Sequence, residues 1–340
     1  MKHHFKTKFV SAALILSTAL VFGGCGSKKA YMTYDIDATR TTFEPGDSYM
    51  EITGNSAVSS EGISLMTKDL TVIKGDEKSR LKGNPEFNAK AVFVADNDNN
   101  EALYVKHCFK RLYPASLTKL MTALVTYKNM ENLEENFIVT KDCLDLPDPY
   151  AKKMGLQVGD SVKIHDLLRA ALIPSYNDAA KVLAIAVAGS EKEFVKMMND
   201  EAKELGATRT HFTNCHGLHD KNHYTTLYDL YLIEHELMKN SDFVKTVNTP
   251  SVDIKYKNTY GTEKVFTLKS TNGFLTGATS IPEGITVVGG NTGTKDEAGA
   301  CMLLYIKDSA GKGYYAGVLG ATDHLNLYAA LTSIFNAIGK

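Results

Sequence analysis

The sequence lacks the features that mark several common protein classes. Its five cysteines form no Cys-x-x-Cys pair, which argues against a zinc ribbon and against a dense disulfide scaffold. No run of 18 apolar residues occurs, so the sequence predicts no conventional membrane-spanning helix. The 38 basic and 39 acidic residues nearly balance and form no basic block, which argues against a nucleic-acid partner. With 340 residues, of which 44% are hydrophobic, the composition is that of a globular protein.

The first 25 residues have the features of an export signal. Three lysines precede the apolar stretch 9–22, which as a helix spans about 21 Å and falls short of a bilayer core of about 30 Å. Gly23, Gly24 and Cys25 follow, and this ending resembles the lipobox of bacterial lipoproteins. The resemblance implies an exported lipoprotein in which Cys25 carries the lipid that anchors the chain to the membrane. The alternative is a plain secretory signal with an incidental cysteine.

A change of composition divides the rest of the chain. Residues 26–87 are rich in Thr, Ser, Asp and Gly, and predict a tether and N-terminal extension with one or two weak strands. From residue 88 the apolar periodicity is clear: it predicts a hairpin over 91–105, helices over 116–130, 165–173, 178–188, 190–205, 226–239 and 323–338, and strands over 251–256, 264–268, 284–289, 301–306 and 314–319. This order predicts an α+β domain over 88–340, with one antiparallel sheet of N- and C-terminal strands packed against a helical lobe.

Two polar segments at predicted helix starts are candidates for chemistry. Ser116 and Lys119 lie one helical turn apart, and a buried lysine that has lost its proton can act as base for a serine. Ser175 and Asn177 lie two residues apart on a tight loop between two predicted helices. Taken singly, the first pattern is usually a solvated helix face and the second a helix cap.

A third polar segment, residues 289–294, falls where the pattern predicts a strand. It contains two glycines and then the small polar residues Asn291, Thr292, Gly293 and Thr294. Glycine in a strand permits the close approach of a ligand. The segment is therefore a third candidate for chemistry.

In this order the three segments resemble the signature of the active-site serine penicillin-recognising enzymes. Residues 113–124, 210–220 and 222–226 are similar, nearly residue by residue, to the low-molecular-mass D-alanyl-D-alanine carboxypeptidases, and the resemblance covers roughly 89–340. It implies a β-lactamase/transpeptidase-like fold and a serine-type carboxypeptidase without metal or organic cofactor. Its substrate would be a peptidoglycan stem peptide ending in D-Ala-D-Ala, its inhibitors β-lactams, and its location the cell-wall side of the membrane.

The resemblance also implies a role for each motif residue. Ser116 would be the acylated nucleophile, Lys119 its base, and Ser175 the relay that passes a proton to the leaving group. Asn177 would contact the substrate backbone, and the N–H groups of Ser116 and Thr294 would form the oxyanion hole. The third segment as a whole would bind substrate through Asn291, Thr292, Gly293 and Thr294.

One position departs from the family pattern. The family's third motif begins with a lysine, and Asn291 stands there in this chain. An asparagine brings no charge, so we expect weaker capture of the substrate carboxylate, a higher pKa of Lys119 and slow turnover at pH 7. Lys295 lies about 13 Å along a regular strand, too far for its side chain to replace that charge well.

The departure keeps an alternative open: a non-catalytic relative that still binds muropeptides or penicillin. A β-lactamase would need a deacylating carboxylate, and no acidic residue lies in a context like the Glu-x-x-x-Asn segment of class A enzymes. Three histidines within 216–223 have no strong zinc spacing, so we predict loop histidines and no metal. The four cysteines after Cys25 permit three disulfide pairings, and Cys301 is predicted to be a free core thiol.

Overall fold

The structure, a computed structural model, describes residues 70, 71, 73, 79–81 and 87–339. The predicted signal peptide with Cys25 and the first part of the predicted extension, residues 26–69, lie outside the described residues. The described part of the extension contacts the domain. The N–H of Thr71 donates to Oη of Tyr231 at 2.9 Å, and the hydroxyl of Tyr228 donates to the carbonyl oxygen of Thr71 at 2.8 Å.

The main sheet is antiparallel and joins the two ends of the domain. Its strands are β1 (Ala89–Asp96), β2 (Glu101–Lys106), β7 (Ile285–Lys295), β8 (Gly299–Asp308) and β9 (Gly313–Ala321). Their order across the sheet is β2-β1-β9-β8-β7. Because β1 pairs with β9, with Val92 opposite Val318, the predicted sheet of N- and C-terminal strands is confirmed.

Four further strands form a second antiparallel sheet. They are β3 (Asn136–Ile138), β4 (Ser161–Lys163), β5 (Ser251–Lys257) and β6 (Glu263–Lys269), paired in that order. The sequence predicts one sheet for the whole domain, and this prediction was wrong for residues 251–256 and 264–268, which belong to the second sheet. Their partner β4 and its neighbour β3 have only three residues each, too few to show the alternation by which a strand is recognised in sequence.

The described residues form eight helices. They are α1 (Thr118–Asn129), α2 (Ile164–Leu172), α3 (Asn177–Ala188), α4 (Glu191–Glu204), α5 (Leu227–Leu237), α6 (Ser241–Val247), α7 (Gly273–Thr276) and α8 (His324–Ile338). The Ser190 and Glu193 spacing in the sequence predicts an N-terminal cap for α4, and Oγ of Ser190 accepts from the N–H of Glu193 at 3.2 Å. Within the described ranges, no helix is long and apolar enough to cross a membrane.

The main sheet is buried on both faces, so the domain has three layers. Alternate side chains such as Phe93 and Leu319 pack with the helical lobe formed by α1–α5. The intervening side chains, such as Val92 and Val318, pack with the apolar face of α8. This layering leaves β7 as an edge strand beside the helical lobe, where the candidate site lies.

Candidate active site

Ser116 lies in the 3₁₀ turn Ala115–Leu117, immediately before α1. The turn begins with Ala115 at φ +47°, a left-handed conformation that is unfavourable for alanine. The hydroxyl of Thr118 donates to the carbonyl oxygen of Ala115 at 2.8 Å. Gly217 packs against the same oxygen so closely that a Cβ at position 217 would lie 1.9 Å from it. A local contact from Thr118 and a contact from the distant residue Gly217 therefore hold the nucleophile turn in place.

His223 supports this turn through Thr118. Its Nδ1 accepts from the N–H of Thr213 at 3.0 Å, so the ring hydrogen is on Nε2, which lies 2.8 Å from Oγ1 of Thr118 and donates to it. Burial lowers the pKa of His223 to about 3, so the ring is neutral at physiological pH. The ring thus has a structural hydrogen-bonding role. Among the described residues, no group of three or more His, Cys, Asp or Glu side chains could hold a metal ion.

Lys119 is fully buried one turn after Ser116. Its Nζ lies 3.0 Å from Oγ of Ser116, 2.9 Å from Oδ1 of Asn177 and 2.8 Å from the carbonyl oxygen of His216. A neutral amine has two hydrogens and one lone pair. The two acceptors, Asn177 and His216, match the hydrogens, and the lone pair then faces the hydroxyl of Ser116. The geometry therefore accommodates the free base as well as the ammonium, whose three hydrogens match the same three partners.

Burial lowers the pKa of Lys119 from its ordinary value of 10.5 to about 7. The positive charge of Lys152 acts in the same direction, whereas the carboxylate of Asp178 acts against it. At neutral pH about half of the Lys119 side chains are then unprotonated. The site therefore has a general base whose pKa suits neutral conditions.

The second predicted segment lies between α2 and α3. Asn177 begins α3, and its side chain accepts from Lys119 through Oδ1 and donates to the carbonyl oxygen of Lys152 through Nδ2 at 3.0 Å. Ser175 has φ +65° and is only 7% exposed, and its Oγ has no hydrogen-bond partner among the described residues. A buried, unpartnered hydroxyl on a strained backbone is typical of a functional position.

The opposite side of the site is β7. Gly293 lies directly against the nucleophile turn, where a Cβ would be 2.9 Å from the carbonyl oxygen of Pro114 and 3.1 Å from the nitrogen of Ser116. A larger residue at position 293 would push the strand away from Ser116. Glycine at this position therefore sets the spacing between the nucleophile and the strand.

Asn291 is buried in the same strand, with 2% of its surface exposed. Its Oδ1 accepts from the N–H of Thr292 at 2.7 Å, and its Nδ2 has no hydrogen-bond partner among the described residues. Oδ1 of Asn291 is therefore bonded to the adjacent backbone, whereas its Nδ2 is unsatisfied within the described residues. It brings no charge to the site.

A cavity of about 430 Å³ lies between the helical lobe and β7. It is lined by the predicted residues Ser116, Ser175, Asn177, Thr292, Gly293 and Thr294. Lys119 lies beneath the cavity and is hydrogen-bonded to Ser116. Asn291 is a described residue that does not line the cavity. A second cavity, of about 500 Å³, is lined by charged side chains of α2, β4 and β5 and contains none of the predicted site residues.

Sequence reasoning missed Lys152, which lines the cavity and belongs to no motif. It also missed the contact between Gly217 and Ala115, because the two residues are about a hundred positions apart in the chain. Lys295 lines the cavity as well, and its Nζ lies 2.8 Å from Oδ2 of Asp148.

The four described cysteines, Cys108, Cys143, Cys215 and Cys301, are free and buried. The prediction of a free core thiol at Cys301 is confirmed. None of the three disulfide pairings that the sequence permits is formed among these residues.

Comparisons with known proteins find similar sequences. The sequence model of a family described as D-alanyl-D-alanine carboxypeptidase matches residues 78–322. The D-alanyl-D-alanine carboxypeptidase DacF of Bacillus subtilis is 34% identical over 223 residues, which are 64% of this chain and 54% of DacF. The chain thus spans about half the length of that curated relative.

Solved structures share the fold. The crystal structure of the Streptomyces K15 DD-transpeptidase aligns with a TM-score of 0.69 and 30% identity, over 74% of this chain and 97% of that one. Penicillin-binding protein D2 of Listeria monocytogenes, in its cefotaxime-bound form, aligns with a TM-score of 0.63 and 28% identity, over 76% of this chain and all of that one. The predicted β-lactamase/transpeptidase-like fold is confirmed.

Proposed function

The chain belongs to the D-alanyl-D-alanine carboxypeptidase family, and on that premise we propose that it is a serine-type D-Ala-D-Ala carboxypeptidase that trims peptidoglycan stem peptides through an acyl-enzyme. The observation that carries the proposal is the 3.0 Å contact between the buried Nζ of Lys119 and Oγ of Ser116. A serine becomes a nucleophile when an adjacent base can take its proton. Burial gives Lys119 a pKa of about 7, which suits that task.

Acylation follows from this geometry. Oγ of Ser116 attacks the carbonyl carbon of the penultimate D-alanine while Lys119 takes the hydroxyl proton. The N–H groups of Ser116 and Thr294 stabilise the negative charge on the carbonyl oxygen. The peptide bond then breaks, and the nitrogen of the departing D-alanine takes up a proton relayed through Ser175, whose hydroxyl lies in the cavity wall.

Deacylation uses the same base. Water attacks the ester carbon of the acylated Ser116 and gives its proton to Lys119. The ester bond breaks, Ser116 recovers its hydroxyl, and the shortened peptide leaves. Every step uses side chains that line or underlie one cavity.

The edge strand β7 suits an extended peptide. One side of β7 pairs with β8, and no other strand of the main sheet lies beyond it. A peptide in extended conformation can bind to such an edge through backbone hydrogen bonds. Thr292, Gly293 and Thr294 lie on this strand and line the cavity, so the peptide would pass next to Ser116.

Asn291 supports a second candidate function, that of a binding protein without turnover. Its neutral, buried side chain replaces the family's motif lysine, and its Nδ2 lacks a partner among the described residues. In that case the cavity would still hold a muropeptide or a β-lactam, as the Listeria relative holds cefotaxime. Acylation of Ser116 distinguishes the two candidates.

The test is incubation with labelled penicillin, followed by peptide mass mapping, alongside an assay of D-alanine release from a D-Ala-D-Ala peptide. We expect a covalent adduct on Ser116 and release of D-alanine that saturates with peptide. An adduct without D-alanine release would favour the penicillin-binding relative. Binding of muropeptide without any adduct would show that the site does not acylate.

We further propose that the protein is an exported lipoprotein, anchored through diacylated Cys25 and facing the cell wall. The motif Gly23-Gly24-Cys25 after a short apolar stretch supports this. We expect labelled palmitate to enter the native protein and not Cys25→Ser, and the variant to leave the membrane fraction or to remain unprocessed. A processed Cys25→Ser protein that still sediments with membranes would contradict the lipid anchor.

A further inference from the structure

The reaction needs a positive charge that the third motif does not provide. A peptide ending in D-Ala-D-Ala presents a free carboxylate, and hydrogen bonds from a cation to a carboxylate are about twice as strong as neutral ones. Asn291 is neutral, and it is not among the described residues of the cavity wall. Another residue must therefore bind the carboxylate if the chain turns over its substrate well.

Two lysines line the cavity, and they differ in what surrounds them. Nζ of Lys295 lies 2.8 Å from Oδ2 of Asp148, so its charge is already paired. Lys152 makes no ion pair with any residue in the described part of the chain. Lys152 is exposed at the cavity, and desolvation by the surrounding protein lowers its pKa. An anionic ligand would therefore bind Lys152 in preference to Lys295.

The backbone fixes Lys152 next to the catalytic groups. Its carbonyl oxygen accepts from the N–H of Asn177 at 2.9 Å and from Nδ2 of the same residue at 3.0 Å. Oδ1 of Asn177 in turn accepts from Lys119. The ammonium of Lys152 lies 5.6 Å from the centre of the Tyr176 ring, within the range of a cation–π contact. Asn177 thus connects Lys152 to Lys119, the proposed base. Lys152 lies on the wall of the cavity that contains Ser116.

We infer that Lys152 provides the positive charge that Asn291 lacks: its ammonium binds the terminal carboxylate of the peptide, from the helical-lobe side of the cavity instead of the strand side. The inference rests on the proposed carboxypeptidase function. A second consequence follows from the same charge, because Lys152 disfavours the protonated form of Lys119. One residue would then replace both actions of the family's motif lysine.

The test compares Lys152→Met with Lys152→Arg and with the matched control Lys153→Met. Lys153 is the neighbouring lysine, exposed like Lys152, and its Nζ donates to the carbonyl oxygen of Pro149 at 3.3 Å. Each protein is assayed on a peptide ending in D-Ala-D-Ala and on the same peptide with a C-terminal amide. We expect Lys152→Met to lower kcat/KM for the acid by about 10- to 100-fold, mainly through KM, and for the amide by less than about threefold.

The pH profile gives a second readout that a purely structural role would not change. Removing the charge raises the pKa of Lys119, so the acidic limb of the kcat profile of Lys152→Met should move to higher pH. Lys152→Arg should restore both the preference for the acid and the position of the limb. Equal losses on acid and amide, or a Lys152→Met protein that behaves like Lys153→Met, would overturn the assignment. If the native protein neither acylates nor releases D-alanine, the proposed function fails instead.

Discussion

The helical-lobe wall and the strand wall of the site differ in how completely the polar groups of Lys119 and Asn291 are satisfied. On the helical-lobe side, Nζ of Lys119 has three hydrogen-bond partners, and Thr118 and Gly217 hold the nucleophile turn in place. On the strand side, Asn291 is neutral and its Nδ2 lacks a partner within the described ranges. The comparison teaches that the groups needed for the proposed acylation lie together, whereas the third motif brings no charge for the proposed substrate's carboxylate. Substitutions on the two walls should therefore have different effects.

The largest effect is expected on the helical-lobe wall, from Ser116→Ala. The substitution removes the atom that forms the acyl-enzyme, so penicillin labelling should disappear and D-alanine release should fall by at least about 1,000-fold. The fold should persist, because the side chain is only partly buried. Labelling, peptide assay and thermal unfolding check these outcomes. Residual labelling of the variant at another residue would show that the nucleophile is misassigned.

A smaller but still large effect is expected from Gly217→Ala, which disturbs the support of the nucleophile turn. The new Cβ would lie 1.9 Å from the carbonyl oxygen of Ala115, and Gly217 has φ +83°. We expect slower acylation by penicillin, by about 10-fold or more, together with a lower melting temperature, because the turn must shift.

Gly189→Ala is the matched control for that substitution. Gly189 has φ +74°, and a Cβ there would meet nothing within 4 Å. Its backbone cost of about 1 kcal/mol should lower the melting temperature slightly and leave acylation unchanged. Equal acylation rates in the two variants would show that the contact between Gly217 and Ala115 does not position Ser116.

The smallest effect is expected on the strand wall, from Asn291→Lys. The sequence alone predicts a 10- to 100-fold gain in kcat/KM at neutral pH, since a cation would be restored near Lys119. If Lys152 already provides that charge, the gain in the native background should be less than about threefold. In the Lys152→Met background the same substitution should restore about 10-fold or more. A 10- to 100-fold gain in the native protein would instead show that Lys152 does not compensate.

Much of the architecture could be predicted because its signals are local. The hairpin of β1 and β2 has apolar, β-prone runs on either side of a turn, and α4 is capped by Ser190, whose Oγ accepts from the N–H of Glu193. The choice of sheet partner could not be predicted in the same way. The hairpin of β5 and β6 joins the rest of the second sheet through a single residue pair, Ser161 of β4 with Lys257 of β5. Nothing in the sequence near either residue specifies this pairing.

The same distinction applies to the site. Ser116, Ser175 and Thr294 were predicted from motifs, and the structure brings them to one cavity. Lys152 could not be predicted, because its position depends on hydrogen bonds to Asn177, which lies 25 residues further along the chain. The motif residues could be recognised from the residue types and spacing of their segments, whereas Lys152 belongs to no motif and is brought to the cavity only by the fold.

The three contacts of Lys119 determine when its lone pair becomes available. In the free protein the hydroxyl of Ser116 lies 3.0 Å from Nζ and can donate to it. Once Ser116 becomes an ester, its oxygen has no hydrogen, while Asn177 and the carbonyl of His216 still hold the amine in place. The lone pair then has no donor in the protein and is free to accept from an incoming water. In the proposed reaction, the covalent step itself would thus convert Lys119 from the base of acylation into the base of hydrolysis, without movement of the side chain.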